Sequence, residues 1–418
     1  MTVRPIPEVD FPYGLIGRRL SHSFSPDLHR ALGSAPYGLF EMEETDLERF
    51  LKETPFKGVN VTIPYKEKAM ALCNEVSPVA RLCGNVNTVI KSKDGRLFGE
   101  NTDFEGLKRA ILRTGLSVEN QRVIILGTGG AAKTAGAVVK ALGASDVLFV
   151  SRTAKPGSIA YPDIPAYPDT AFLINATPVG MSPDPDGLPA VDLKALPALQ
   201  LVVDLVYNPL KTRLLQHAET LGIRTENGLS MLIGQAAAAA ERFLQTDCRT
   251  KEAELLLSFN NRMTNIVLIG MPGVGKTTVG ERLASRLGRE FIDTDRLIEA
   301  RTGYSCASFI ESQGIEVFRR VEAEVIYELR MRRGLVIATG GGAVLDSANM
   351  TNLRLNGTLI RLTRKLEDLS VTGRPLSAGT GLEKLARERE PIYRRYADET
   401  IDISDPDTAL TILSERFS

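Results

Sequence analysis

Two glycine-rich segments carry the strongest chemical signals in this sequence. The first, IGMPGVGKTTVGERL at residues 269–283, contains the pattern GxxxxGK(S/T) from Gly270 to Thr277. In such a loop, backbone N–H groups cradle phosphates, the lysine neutralises phosphate charge and the hydroxyl ligates Mg²⁺. The pattern stands between an apolar run and a helical pattern. It therefore predicts an ATP site, with Lys276 on the phosphates and Thr277 on the metal.

The second segment, ILGTGGAAKTAG at residues 125–136, has a different glycine spacing. Gly127, Gly129 and Gly130 follow the apolar run RVIIL and precede an alanine-rich helical pattern. Glycine permits a tight turn that brings backbone N–H groups and a helix N-terminus against a pyrophosphate. The order strand, loop, helix, strand predicts a dinucleotide site of the Rossmann type.

The end of the next strand indicates which dinucleotide is bound. An NAD site places Asp or Glu there, to bind the ribose 2′-hydroxyl. Here the strand VLFV ends in Ser151, Arg152 and Thr153, and Asp146 lies at the opposite end of the strand. An arginine suits a 2′-phosphate, so the sequence predicts NADP. The alternative is a solvated loop arginine.

Composition limits the class of protein. The chain has 418 residues, 51 Lys+Arg and 51 Asp+Glu, so its charge predicts neither a nucleic-acid nor a membrane partner. No apolar run reaches the roughly 18 residues of a membrane span, and the N-terminus lacks the apolar core of a signal peptide. The four cysteines and three histidines show no metal-binding spacing. We expect a cytoplasmic protein with reduced thiols.

The pattern of apolar runs predicts α/β architecture in three parts. Over residues 12 to about 100, short apolar runs alternate with helical patterns, and Asp94-Gly95 marks a hairpin. From Arg122 onward, strands read as continuous Val/Ile/Leu runs, which are typical of a parallel sheet covered on both faces. Polar residues cluster at 258–265, and the run NIVLI starts a third part immediately afterwards.

Nine motifs in order resemble shikimate dehydrogenase over residues 12 to about 250: GLIGRRLSHSFSPDLH, GVNVTIPYKE, GNVNTV, GENTD, GTGGAAKTA, SRT, INATPVGM, DLVYNP and NGLSMLIGQAA. The resemblance implies reduction of 3-dehydroshikimate to shikimate by NADPH. It implies that Lys66 and Asp103 are the catalytic pair. The lysine would stabilise charge on the carbonyl oxygen and pass a proton, and the aspartate would orient the lysine and hold a substrate hydroxyl. Taken alone, they would be a solvated lysine and a turn or cap aspartate.

The same resemblance implies the ligand contacts. Ser23 and Ser25 would bind the substrate carboxylate, and the other substrate contacts would be Thr62, Asn87, Asp103, Tyr207 and Gln235. The implied NADP contacts are Gly127, Gly129, Gly130, Ala131, Ser151, Arg152, Thr153, Thr177 and Gly228. The chain departs from the family between Arg152 and Phe172, where four prolines replace the usual crossover helix. We expect a more open adenosine side there, with Lys155 as a second phosphate contact.

The motifs FIDTDRLIE, VFRRVE, ATGGGAV, TGRPLSAGTG and REPIYRR resemble shikimate kinase over residues 264–418. Implied catalytic residues are Lys276 and Asp295, and implied metal contacts are Thr277 and Asp293. Implied ATP contacts are Gly273, Gly275, Lys276, Thr277, Thr278 and Arg374, the last on a lid. Implied shikimate contacts are Asp295, Arg319, Gly340, Gly341, Gly342 and Arg389, with Glu322 in support. Ile315 stands where the family has an acidic residue, and we expect the neighbouring Glu316 not to replace it.

Together the motifs predict a dehydrogenase–kinase fusion of aromatic amino-acid biosynthesis, acting on 3-dehydroshikimate and then shikimate with NADPH, ATP and Mg²⁺. The predicted parts are a substrate domain at 1–104, completed by helices at about 235–258, a Rossmann-like NADP domain at 105–234 and a P-loop kinase domain, resembling nucleoside monophosphate kinases with an α/β/α parallel sheet, at 264–418. Two alternatives remain open: a dehydrogenase that prefers quinate or accepts both quinate and shikimate, and a metabolite-sensing regulator with dead sites. The sequence leaves oligomeric state and channelling open.

Overall fold

The computed structural model describes residues 11–20, 23–153, 155–369 and 381–418, except for the side chain of Leu382. Within these residues, no helix combines the length and apolar character needed to cross a membrane. The chain divides into two compact units. The first comprises the chain up to Met181, Gly187–Tyr207 and His217–Leu257, and the second comprises Ser182–Asp186, Asn208–Gln216 and Ser258–Ser418.

The first sheet is mixed. Its strands are β1 (Tyr13–Gly17), β2 (Tyr37–Glu41), β3 (Gly58–Val61), β4 (Glu75–Val76), β5 (Thr88–Lys91) and β6 (Leu97–Glu100). The accompanying helices are α1 (Ser25–Leu32), α2 (Leu47–Glu53), α3 (Lys66–Leu72), α4 (Pro78–Cys83) and α5 (Thr102–Arg113). The strand order is β2-β1-β3-β5-β6-β4. The predicted hairpin is confirmed, since β5 and β6 pair antiparallel and Gly95 has a φ of 83°.

The second sheet is wholly parallel, as the continuous apolar runs predict. Its strands are β7 (Arg122–Leu126), β8 (Asp146–Ser151), β9 (Ser158–Ala160), β10 (Thr170–Asn175), β11 (Leu201–Asp204) and β12 (Arg224–Asn227), and the helices of this stretch are α6 (Gly130–Ala141), α7 (Arg213–Thr220), α8 (Gly228–Leu244) and α9 (Arg249–Met263). The order β12-β11-β10-β7-β8-β9 reverses direction between β7 and β10. Such a reversal opens a crevice at the carboxyl ends of the strands, where dinucleotides bind.

Two segments differ from ordinary α/β connections. As the prolines predict, no α-helix connects β8 to β10 in the described residues, and the segment forms β9 and a 3-10 helix at Tyr161–Ala166 instead. The polar segment 258–265 was expected to separate two parts, and the division between the two units does fall between Leu257 and Ser258, inside α9. Asn261 there is 8% exposed and donates to the carbonyl oxygen of Ser418 at 2.8 Å. Its polarity reflects a hydrogen bond at a packed helix end.

The third sheet is parallel and belongs to the second unit. Its strands are β13 (Asn265–Ile269), β14 (Phe291–Asp293), β15 (Val336–Ala338), β16 (Gly357–Thr363) and β17 (Glu399–Asp402), in the order β14-β15-β13-β16-β17. The helices are α10 (Lys276–Leu287), α11 (Thr294–Thr302), α12 (Cys306–Gln313), α13 (Ile315–Leu329), α14 (Ser347–Leu353), α15 (Leu382–Tyr396) and α16 (Pro406–Phe417). Helices alternate with strands throughout, which agrees with the predicted α/β class.

Candidate active sites

Lys66 and Asp103 lie together although 37 residues separate them in sequence. Lys66 begins α3, and Asp103 lies in the first turn of α5, where the Asn101 side chain accepts from the Phe104 N–H at 3.0 Å. The Lys66 Nζ is 2.6 Å from the Asp103 Oδ2, and the two side chains are 26% and 15% exposed. The ammonium is therefore held in one position at the protein surface, where it can donate to a ligand oxygen.

Asn87 is fixed beside this pair by its amide oxygen. Its Oδ1 accepts from the Thr102 N–H at 2.7 Å and from the Thr102 hydroxyl at 3.2 Å. The side chain is buried, and within the described chain no acceptor is bonded to its Nδ2. The arrangement leaves the amide N–H groups for a ligand.

The other predicted substrate contacts gather on neighbouring elements. Ser23 Oγ accepts from the Ser25 N–H at 3.2 Å, and the Phe24 ring between them meets the Tyr207 ring edge-on at 6.0 Å. Gln235 lies on α8 where this helix crosses α5. A Cβ added to Gly106 of α5 would be 3.0 Å from the Gln235 Cβ. Thr62 follows β3 and donates its backbone N–H to Ile16 O at 2.9 Å.

Burial shifts the pKa of two titratable side chains in the first unit, His29 and Cys83. Burial lowers the pKa of His29 to about 3, and its ring stacks on Tyr37 at 4.1 Å while Nδ1 bonds the Ser34 hydroxyl at 2.7 Å. Burial raises the pKa of Cys83 to about 11. His29 is thus a neutral packing residue, and Cys83 remains a thiol beside the Lys66–Asp103 pair.

The glycine loop after β7 is open toward the carboxyl edge of the sheet. Gly127 has a φ of 111°, and a Cβ there would be 3.2 Å from Ala176 O. Gly129 precedes α6, and a Cβ on it would meet no atom within 4 Å. Gly130 and Ala131 start the helix and are exposed. The N-terminus of α6 therefore offers accessible N–H groups to a diphosphate.

The remaining predicted cofactor residues lie at the same edge of the sheet. Ser151 ends β8 and is 8% exposed, whereas Arg152 and Thr153 are exposed. In the described part of the chain, no carboxylate lies within ion-pair distance of Arg152. Thr177 follows β10, and Gly228 begins α8, where a Cβ would be 2.1 Å from a carbonyl oxygen of the chain.

A cavity of about 710 Å³ in the second unit gathers the predicted ATP and ring contacts. Its lining includes Gly273, Gly275, Lys276, Thr277, Thr278, Asp293, Asp295, Arg319, Glu322, Gly340, Gly341, Gly342 and Arg389. Arg374 and most of the predicted lid fall outside the described residues.

At the phosphate end of the cavity, Lys276 is 7% exposed. It donates from Nζ to Gly270 O at 2.8 Å and to Met271 O at 3.0 Å. The Thr277 hydroxyl donates to Asp293 Oδ2 at 2.7 Å. The other Asp293 oxygen caps α11, so a hydroxyl and a carboxylate are fixed together where a divalent cation would contact ATP.

At the other end, Arg319 is paired with a buried carboxyl group. Its Nη1 is 2.6 Å from Glu322 Oε2, and the Glu322 side chain is 1% exposed. Burial raises the pKa of Glu322, Arg319 opposes that shift, and Asp295 adds to it. Glu322 Oε1 has no hydrogen-bond partner in the described residues. A Cβ on Gly340 would be 2.7 Å from Asp295 Oδ1 and 2.8 Å from Glu322 Oε1, so these oxygens are at most 5.5 Å apart.

Arg389 completes this end of the cavity. It is 8% exposed and donates to Gly341 O at 2.9 Å, which also accepts from the Tyr393 hydroxyl at 2.5 Å. Burial raises the pKa of Tyr393 to about 12. The two arginines and the triple glycine therefore form a positive recess suited to a carboxylate.

Sequence reasoning missed part of the cavity wall, which also includes Pro272, Glu299, Ser305, Cys306, Ala307, Ile310, Phe318, Thr339 and Leu385. Of these, Pro272, Glu299, Phe318 and Thr339 lie inside the quoted motifs and so had a local signal, whereas the other five had none. Burial raises the pKa of Cys306 to about 12 and nearby carboxylates add to the shift. Ile315 and Glu316 do not line the cavity, and Glu316 is exposed.

Profiles of two families match the chain: shikimate dehydrogenase substrate binding domain at residues 15–89 and shikimate kinase at residues 272–415. A shikimate dehydrogenase (NADP(+)) of Symbiobacterium thermophilum is 34% identical over 256 residues, covering 54% of this chain and 87% of that protein. The structure of shikimate 5-dehydrogenase from Thermus thermophilus in complex with NADP(H) and shikimate has a TM-score of 0.53 at 32% identity, covering 58% of this chain and 97% of that chain.

A quinate dehydrogenase from Corynebacterium glutamicum in complex with NAD also has a TM-score of 0.53, at 26% identity, covering 58% of this chain and 98% of that chain. The relative from Symbiobacterium thermophilum, matched over most of its length, establishes the family, and the second profile accounts for the P-loop unit. The chain therefore belongs to the shikimate dehydrogenase family and is a fusion that also carries a shikimate kinase domain.

Proposed function

We propose that this enzyme reduces 3-dehydroshikimate to shikimate with NADPH and then phosphorylates the shikimate 3-hydroxyl with ATP and Mg²⁺. The contact between Lys66 and Asp103 at 2.6 Å carries the first assignment. The cavity that joins a P-loop to two arginines carries the second. We assign residues 1–104 with about 235–258 to the dehydrogenase substrate domain, 105–234 to the NADP domain and 264–418 to the kinase. Four unpaired cysteines favour a cytoplasmic location.

The residues at the carboxyl edge of the second sheet fit NADP. The open N–H groups around Gly129 suit the diphosphate, and Arg152, which has no carboxylate near it in the described chain, suits a 2′-phosphate. When bound, NADPH would supply a hydride to the substrate carbonyl carbon. Lys66 donates to the carbonyl oxygen and gives it a proton as charge develops, while Asp103 keeps the ammonium in place.

The residues that line the kinase cavity likewise fit ATP and Mg²⁺. Lys276 is held on two loop carbonyls, within reach of phosphates that would replace them, and Thr277 with Asp293 provides oxygen ligands for the metal. When bound, ATP would supply the γ-phosphoryl group. Asp295 accepts the proton of the attacking hydroxyl, and Arg319 and Arg389 hold the ring carboxylate.

The test is a one-pot assay of wild type, Lys66→Ala and Lys276→Ala, following NADPH loss and ADP formation together. Lys66→Ala should lower the reductase rate by about 10²–10⁴-fold and leave ADP formation from added shikimate intact. Lys276→Ala should do the reverse. Each variant is the control for the other, because the two lysines lie in different sites. Unchanged NADPH loss in Lys66→Ala would remove that lysine from catalysis, and loss at the uncatalysed rate in both wild type and variant would favour a regulator.

Quinate is the second candidate substrate, because the quinate dehydrogenase aligns as closely by TM-score as the shikimate enzyme. Replacing 3-dehydroshikimate by 3-dehydroquinate in the same assay separates the two. We expect a higher kcat/KM for 3-dehydroshikimate. ADP formation after 3-dehydroshikimate and NADPH are added together, but not with either alone, links the two reactions.

A further inference from the structure

The proline-rich segment after β8 brings a tyrosine to the cofactor edge of the second sheet. Strands β8 and β9 pair in parallel, with Phe149 opposite Ser158 and Ser151 opposite Ala160. The next residues, Arg152 and Tyr161, therefore leave adjacent strands at the same carboxyl edge. Ligands of open parallel sheets bind at this edge.

Local contacts hold Tyr161 in position. It begins the 3-10 helix at Tyr161–Ala166, where the Ala160 N–H donates to Asp163 Oδ2 at 2.9 Å. Ile164 in the same turn is 1% exposed and anchors it. Tyr161 itself is half-buried. The backbone position of Tyr161 is thus fixed, while part of its side chain remains open to a ligand.

The charges around Tyr161 favour an anion. Burial raises the pKa of Tyr161 and the Arg152 guanidinium opposes that shift, so the phenol lies within electrostatic reach of the guanidinium. Arg152 and Lys155 are both exposed, and neither has an ion-pair partner among the residues that the structure describes. A 2′-phosphate carries close to two negative charges at neutral pH. Two unpaired cations and a phenolic donor match that group.

We infer that Tyr161 is a specificity-determining residue for the dehydrogenase, whose hydroxyl donates to the 2′-phosphate held by Arg152. This inference rests on the proposed use of NADPH. It assigns a role to the proline-rich segment that replaces the crossover helix. This segment was expected to leave the adenosine side of the cofactor open, and it would instead supply a contact to the 2′-phosphate. A tyrosine has only two side-chain torsions to fix on binding, so the entropic cost of this contact is low.

The experiment measures KM for NADPH and for NADH in wild type and Tyr161→Phe, at saturating 3-dehydroshikimate. Losing one hydrogen bond to a charged group should raise KM for NADPH about tenfold and leave KM for NADH within twofold. The matched control is Tyr167→Phe. Tyr167 ends the same turn, but its ring lies 5.4 Å from the Arg122 guanidinium, at the amino end of β7. Both KM values should remain at wild type in this control.

A double variant tests whether the two residues act on one group. In an Arg152→Ala background, Tyr161→Phe should cost less than it does in the wild type, because the phosphate is no longer held. Adenosine 2′,5′-bisphosphate should inhibit Tyr161→Phe about tenfold more weakly than wild type, and adenosine 5′-monophosphate should inhibit both equally. An unchanged KM for 3-dehydroshikimate in each variant would indicate that the dehydrogenase unit is still folded. The second variant is Tyr161→His, which keeps a hydrogen-bond donor on its ring. Its KM for NADPH should lie between those of wild type and Tyr161→Phe.

The outcomes separate the inference from the function on which it rests. Equal KM changes for NADPH and NADH in Tyr161→Phe, or none, would overturn the role of Tyr161. The proposed function would survive that result if Arg152→Ala still raised KM for NADPH selectively. A wild-type enzyme that prefers NADH would overturn the proposed use of NADPH together with this inference.

Discussion

Gly342 offers a sharp test of the carboxylate recess in the kinase site. A Cβ at this position would lie 1.9 Å from the Arg319 Nη2 and 2.4 Å from its Cζ. Since ordinary carbon contacts begin near 3.4 Å, the guanidinium in Gly342→Ala must withdraw by about 1.5 Å. The backbone φ of Gly342 is −105°, which alanine adopts without strain. The substitution therefore acts on the Arg319 guanidinium and, through it, on the ion pair with Glu322.

The size of the effect follows from that displacement. A misplacement of about 1 Å can cost about 10²-fold in rate, and a hydrogen bond to a charged group contributes about 1.5–3 kcal/mol. We expect kcat/KM for shikimate to fall by about 10–100-fold in Gly342→Ala, mainly through KM. The KM for ATP should not change. The thermal midpoint should fall as well, because the displaced guanidinium is the ion-pair partner of the buried Glu322 carboxyl group.

The neighbouring glycines provide matched controls. A Cβ on Gly341 would lie 2.7 Å from the Pro272 ring and 3.0 Å from its backbone nitrogen, so Gly341→Ala should raise KM for ATP instead. Gly340→Ala would press on the carboxyl oxygens of Asp295 and Glu322 and should lower kcat. Measuring kcat and the KM values for ATP and for shikimate distinguishes the three alanine variants. Equal changes in both KM values for Gly342→Ala, or a loss larger than that of Arg319→Ala, would refute the reasoning.

Three further outcomes are expected. Thr277→Val removes the hydroxyl bonded to Asp293 at 2.7 Å, so half-maximal kinase activity should need about tenfold more Mg²⁺; an unchanged Mg²⁺ titration would exclude a metal role. His29 has a folded pKa of about 3 against about 6.5 unfolded, so only the unfolded state takes up this proton as pH falls from about 6.5 toward 3. The free energy of unfolding should then fall by about 1.4 kcal/mol per pH unit below about pH 6, and urea titrations of His29→Gln should lack this contribution; equal slopes would contradict it. Gly106→Ala would bring a Cβ 2.5 Å from Met231 O, so it should destabilise the dehydrogenase unit by about 1–3 kcal/mol; a wild-type thermal midpoint would show that α5 and α8 can separate without cost.

Much of the fold was predictable because its signals are local. The run RVIIL forms a strand whose Val123 to Leu126 are fully buried, so continuous apolarity correctly indicated a parallel sheet. The four prolines between Arg152 and Phe172 excluded a crossover helix, because proline removes a backbone donor and clashes with the preceding turn. The polar cluster at 258–265 correctly indicated the division between the two units after Leu257, but not that this division lies inside α9, where Asn261 makes its hydrogen bond at a packed helix end.

The sequence by itself determined both glycine loops, the arginine after β8 and the families to which the motifs belong, since each depends on a few adjacent residues. Only the tertiary structure decided that Lys66 Nζ lies 2.6 Å from an Asp103 oxygen and that Asp295 and Glu322 approach each other around Gly340. It also decided that Tyr161 leaves the sheet beside Arg152. These distances join residues on different elements, and no local pattern encodes how strands pair or helices cross. Short motifs therefore determine which chemical groups each site contains, and packing between helices and strands determines where these groups lie.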